Sequence, residues 1–129
     1  MARSETPGTA SGTTLQVLRI AALASVLALL WQFVTAGQLV SGNDLKGMHG
    51  VGAAALHVTT GVTVVAAFLH WRRTRSDVAV LVGAAVVFLL TFVQAGLGGA
   101  RVLEAHVPGA LVVTVGVVWL AVWALRAAR

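Results

Sequence analysis

Residues 48–71 read MHGVGAAALHVTTGVTVVAAFLHW, a run with no Asp, Glu, Lys or Arg in it. As an α-helix rising about 1.5 Å per residue, it is longer than the ~30 Å hydrocarbon core of a bilayer. Three more long apolar runs flank it, at about Leu15–Val40, Val78–Ala100 and Ala105–Ala127. Each exceeds the ~20 residues a membrane-crossing helix needs. Gly and Thr within them do not argue against helix, because lipid offers the backbone no partner beyond its own carbonyls. A composition of 58% hydrophobic and 10% charged residues excludes an ordinary soluble domain. The expected fold is all-α, an integral membrane bundle of four up-down helices over residues 15–129. Residues 1–14, rich in Ser, Thr, Gly and Pro, are expected to form a disordered tail. The first run is too long for the apolar region of a signal peptide and is expected to be retained.

Charge sets the expected orientation. Arg3, Arg19, Arg72, Arg73, Arg75, Arg126 and Arg129 fall at the termini or in the middle connection, against Lys46 and Arg101 in the outer two connections. By the positive-inside rule both termini are expected on the cytoplasmic side, in a bacterial plasma membrane. The net charge of +5 is then used on topology and anionic lipid, and no nucleic-acid partner is expected. Cysteine is absent, which excludes disulfides, thiolate metal sites and thioether-attached haem. The acids are Glu5, Asp44, Asp77 and Glu104, none deep in a span, which argues against a proton-coupled transporter. No Ser-His-Asp set, phosphate loop or HExxH helix is present, and the chain is not expected to be an enzyme by itself.

The chain repeats itself. Phe33-Val34-Thr35-Ala36-Gly37 is echoed by Phe92-Val93-Gln94-Ala95-Gly96, and His49-Gly50-Val51-Gly52-Ala53 by His106-Val107-Pro108-Gly109-Ala110. The second connection is two residues shorter than the first. Both pairs of helices would run the same way, giving a pseudo-two-fold axis along the membrane normal and two imidazoles at equal depth. His49 is bordered by Gly52 and Ala53, and His106 by Gly109 and Ala110, on one helix face. Such a face suits either a flat ligand or close helix packing. An imidazole in lipid needs a partner, so this pair is the candidate metal or haem site, structural hydrogen bonding being the alternative.

His57 falls ~12 Å deeper than His49 and ~80° around the helix. It reads as an extra ligand or as a Thr-bonded structural residue, and a quinone-binding or metal-transport bundle would rest on it alone. His70, beside Trp71 and Arg72, is expected to snorkel at the inner interface. Trp71, Trp119 and Trp123 are expected in the inner aromatic belt, while Trp31 lines a pocket or packs. Asn43 or Asp44 is expected to cap the second helix and Asp77 the third, with Pro108 in the first turn of the fourth. Gln94-Ala95-Gly96-Leu97-Gly98-Gly99 is rich in glycine for a helix end and admits a ligand or tight packing.

Phe92–Val102, with Gln94, Leu97, Gly98, Gly99 and Val102 in place and His106 opening the next helix, resembles a segment of the haem A synthase family. Gln32–Val40 is similar to that family's first helix, with Ala36 intruding before Gly37. The resemblance covers about residues 28–120. It implies one four-helix half of that fold, with His49 and His106 as axial ligands of a single b-type haem near the outer surface, and with Gly52, Ala53, Gly109, Ala110, Gln94 and His57 around it. The family's segment with its arginine and cysteine is missing, and no Glu stands beside His49, so oxidation of a haem methyl group is not implied. Electron transfer or haem handling is the expected role, in lipid and as a homo-oligomer or part of a larger respiratory or haem-handling membrane complex. The alternative is a non-catalytic membrane subunit or assembly factor without cofactor.

Overall fold

The computed structural model describes residues 7–127. Four helices make up the fold: α1 (Pro7–Val40), α2 (Lys46–Thr74), α3 (Val78–Gly99) and α4 (Leu103–Arg126). Each is long and apolar enough to cross a membrane. The helices form a ring in which each packs on its two neighbours and α4 closes against α1. The diagonal pairs, α1 with α3 and α2 with α4, make no close backbone approach among the described residues.

Leu18, Leu29, Leu56, Val87, Val113, Val117 and Leu120 fill the centre, with Ala66, Ala67, Ala84 and Ala124 where helices come close. Large apolar side chains such as Ile20, Leu27, Leu89 and Leu111 cover the outside. That inversion would be a liability in water and is natural in lipid. Buried hydroxyls bond back to their own helix, Ser25 to the Ala21 carbonyl at 2.9 Å and Thr60 to that of Leu56 at 2.6 Å. They thereby enter the core without needing a partner helix.

α1 begins eight residues ahead of the expected start, so residues 7–14 are helical and not a disordered tail; residues 1–6 lie outside the described residues. Packing overrides composition here, since Thr14 and Leu15 are both buried against the bundle. Pro7 at the first helical position has no N–H to leave unpaired. Arg19 is therefore well inside α1, where its guanidinium donates to the carbonyls of Ala124 at 2.8 Å and Ala127 at 2.7 Å. Carbonyls at a helix C-terminus lack intrahelical partners and carry partial negative charge, so a cation is the fitting cap.

The capping expectations need correction. Leu45 precedes α2 and Asp77 precedes α3, and neither makes a side-chain cap bond. Asn43 instead donates to the Gln38 side chain at 2.7 Å, and Asp77 accepts from the Ser76 hydroxyl. Arg72, Arg73 and Thr74 belong to the last turn of α2, with Arg75 in the left-handed region ending it. Pro108 falls in the second turn of α4, not the first, and leaves the Glu104 carbonyl without its usual helical donor.

The repeat is written into the backbone. α1 ends with Gly42 at φ 89°, the Asn43 N–H bonding Gln38 and the Gly42 N–H bonding Leu39. α3 ends with Arg101 at φ 58°, the Val102 N–H bonding Leu97 and the Arg101 N–H bonding Gly98. Both are Schellman endings, at positions the repeat aligns. The next helix then starts at Lys46 in one case and Leu103 in the other, which locates the missing two residues at Asp44-Leu45.

Candidate functional site

His49 and His106 hold equivalent places. His49 N–H bonds the Leu45 carbonyl at 2.9 Å and His106 N–H bonds that of Val102 at 2.9 Å, each the residue just before its helix. Each imidazole thus stands on the fourth residue of its helix, and each is half-buried. α2 and α4 are diagonal in the ring, so the two imidazoles belong to helices that do not pack on each other among the described residues.

α1 prepares His49. The Thr35 hydroxyl is 2.8 Å from His49 Nδ1, and also 3.0 Å from the Trp31 carbonyl and 3.1 Å from that of Gln32. A hydroxyl has one proton, and a carbonyl can only accept. Given to the backbone, that proton leaves the oxygen to accept from Nδ1–H and Nε2 with the free lone pair; given to Nδ1, it reverses the two ring nitrogens. In the first case the ring is oriented as ligating imidazoles commonly are. Gln32 Nε2 donates to the His49 carbonyl at 3.1 Å, and the Trp31 indole N–H to that of Met48 at 3.1 Å.

The glycines of the repeated motif serve the seam within each helix pair. A Cβ at Gly52 would lie 2.5 Å from Trp31 Cδ1, and one at Gly109 would collide with the Gln94 amide. Ala53 and Ala110 are partly buried beside them. The His106 ring rests on Gly98, where a Cβ would be 3.0 Å from Cε1. Gln94, the repeat counterpart of Thr35, therefore occupies the α3–α4 seam as Thr35 occupies the α1–α2 seam. Its Oε1 is buried without a hydrogen-bond partner, as are Gln32 Oε1 and His106 Nδ1.

Comparison with protein-family models, curated proteins and solved structures yields no match for the chain.

The remaining histidines lie elsewhere. His57 turns to the α2–α3 seam and stacks on Phe92, ring centroids 4.2 Å apart. His70 does not snorkel: it is 8% exposed, meets Trp123 edge-on at 5.8 Å, and has Nε2 3.9 Å from an Asp77 carboxylate oxygen. Trp31 clamps the α1–α2 pair, and Trp119 covers Gly83 between α3 and α4. Among the described residues no three His, Cys, Asp or Glu gather as a metal cage. Two imidazoles suffice only for a centre that brings its own equatorial ligands, as a haem does. The imidazole nitrogens are of the donor type such a group takes, whereas the unpaired Gln32 Oε1 and Gln94 Oε1 are acceptors and need hydrogen-bond donors that a porphyrin's carboxylates do not supply. The sequence sets Thr35 in the repeat and Gln32 in the segment similar to the family's first helix, without assigning either to His49. The signal available was the alignment of Thr35 with Gln94, two polar residues in otherwise apolar company.

Proposed function

We propose that this chain is an up-down four-helix membrane protein, with both termini cytoplasmic, that holds one b-type haem through His49 and His106 near the outer surface, as in one half of the haem A synthase family. The orientation rests on the arginines at the termini and middle connection. The up-down order is supported by the contacts of Arg19 with the end of α4, and of Thr35 with the start of α2. The observation that carries the haem reading is the pair of imidazoles on equivalent positions of α2 and α4, one of them hydrogen-bonded through Nδ1 to Thr35.

His49 and His106 would hold the group, which would supply a one-electron couple suited to electron transfer or haem handling. The chain's own residues have separable tasks. His49 and His106 are the ligands; Thr35 holds the proton of His49 at Nδ1. Gln94, the repeat counterpart of Thr35, and His106 both belong to the α3–α4 seam, with Oε1 and Nδ1 each unpaired. Trp31 and Gln32 bond the backbone carbonyls of Met48 and His49 at the start of α2. Haem titration of the purified chain against His49→Ala and His106→Ala tests the reading; each variant is expected to lose tight binding.

A second reading, a membrane subunit or assembly factor without cofactor, is favoured by the filled faces of Gly52 and Gly109, which serve helix packing with no ligand. It is distinguished by colourless protein that co-purifies in fixed ratio with a larger complex.

A further inference from the structure

The last turns of α2 carry a side-chain cluster that neither the bundle core nor the histidine pair uses. Phe68 and Trp71 meet with ring centroids 6.0 Å apart. The Arg72 guanidinium lies over the Phe68 ring, 5.8 Å from its centroid, and that of Arg75 lies over Trp71 at 5.4 Å. Two cations are thus seated on one pair of adjoining rings, where they repel each other. Among the described residues neither meets a carboxylate. Asp77, the acid nearest in sequence, accepts from the Ser76 hydroxyl and stands 3.9 Å from His70. A guanidinium that gives its face to a ring keeps its N–H edge for an anion, and its fork matches a phosphate.

Toward the bilayer centre the same stripe of α2 becomes apolar. Gly61, Val65, Phe68 and Arg72 recur at helical spacing and share one face. Gly61 and Val65, with Val58 and Val62 beside them, form one wall of an open groove whose other wall is Phe88 and Phe92 of α3. At 1.5 Å per residue, Val65 is ~10 Å and Gly61 ~16 Å from Arg72 along the helix. One leaflet of a ~30 Å hydrocarbon core is ~15 Å deep, so the groove lies where the chains of a lipid anchored at Arg72 would run. Valine and phenylalanine walls offer nothing to a polar ligand and suit an acyl chain. A second copy in the same membrane would bring its own Arg72 and Arg75 to this end of the bilayer, adding cations where an anion is required.

We propose that the α2–α3 face binds an anionic phospholipid, its phosphate between Arg72 and Arg75 and one acyl chain in the groove. This is a defined site, beyond the general attraction of a basic chain for anionic lipid. In the orientation proposed above it faces the cytoplasmic leaflet, where anionic lipids reside. A zwitterionic headgroup brings its own ammonium to the phosphate and pairs less well with two guanidiniums. None of this depends on His49 or His106, so it stands or falls apart from the haem reading.

The test is photolabelling of the full chain, without added haem, in phosphatidylcholine nanodiscs with a minor share of phosphatidylglycerol bearing a diazirine on one acyl chain. Label is expected on peptides spanning residues 58–65 and 88–92. Unlabelled phosphatidylglycerol is expected to displace it, and phosphatidylcholine or inorganic phosphate is not. Arg72→Gln and Arg75→Gln should each lower the displaceable label about fivefold, the effect of one basic residue at a lipid surface. Arg126→Gln, the same charge change at the end of α4, should leave it unchanged. Val65→Trp, which fills the groove and keeps both arginines, gives an independent reduction. Equal displacement by phosphatidylcholine, or arginine variants no different from Arg126→Gln, would overturn the proposal. So would displacement by inorganic phosphate, which would leave a simple anion site, or efficient disulfide dimerisation of Val62→Cys in membranes, which would assign the groove to a second copy.

Discussion

The Thr35 hydroxyl and the His49 imidazole, fourteen residues apart on adjacent helices, meet at 2.8 Å. With the hydroxyl proton given to the carbonyl of Trp31 or Gln32, the ring would have its proton on Nδ1 and its lone pair on Nε2. Thr35→Val removes the acceptor and keeps the shape. Haem affinity, followed by absorbance titration, is expected to fall ~10–100-fold, the usual effect of losing a second-shell partner. Thr35→Ser should restore it. Equal affinity in Thr35→Val would mean that the hydroxyl does not orient the ligand.

The two motif glycines should respond unequally to a methyl group. At Gly52 the obstacle is the Trp31 indole, a rigid ring also held by its bond to the Met48 carbonyl. At Gly109 it is the end of the Gln94 side chain, which can rotate away. Gly52→Ala is expected to destabilise by about 1–3 kcal/mol, in the range of overpacked cores, and Gly109→Ala by clearly less. Thermal unfolding in detergent measures both. A larger loss for Gly109→Ala would contradict the seam packing described above.

Arg19 links the beginning of the bundle to its end. Arg19→Met keeps much of the apolar stem and removes two charge-assisted bonds to the α4 carbonyls. A loss of about 1.5–3 kcal/mol in detergent unfolding is expected, with the end of α4 fraying first in hydrogen exchange. Unchanged exchange at residues 120–127 would show that α4 needs no such cap.

Hydropathy alone was enough to read the four spans, because an apolar run of more than ~20 residues has one solution in lipid. The repeat was legible too, and its alignment of His49 with His106 corresponds to equal places in the helices. Helix starts were not legible. Asn43, Asp44 and Asp77 look like caps, yet Leu45 and the backbone of Asp77 begin the helices, since packing and turn geometry outweigh side-chain capping. The direction of a helix face was equally hidden. Gly52 and Gly109 share a face with their histidines, but that face borders both the interior and the seam to the preceding helix, and the seam takes them. His70 was misjudged because Asp77 turns back on it from the connection after α2, and Trp123 reaches it from α4.

The pairing of His49 with His106 is tested most directly by the oxidised and reduced absorption spectra of the detergent-purified, haem-supplemented protein. A six-coordinate low-spin spectrum is expected, lost in His49→Ala and in His106→Ala and intact in His57→Ala and His70→Ala. Absence of a Soret band above that of the His49→Ala/His106→Ala double variant, or a spectrum indifferent to either substitution, would contradict it.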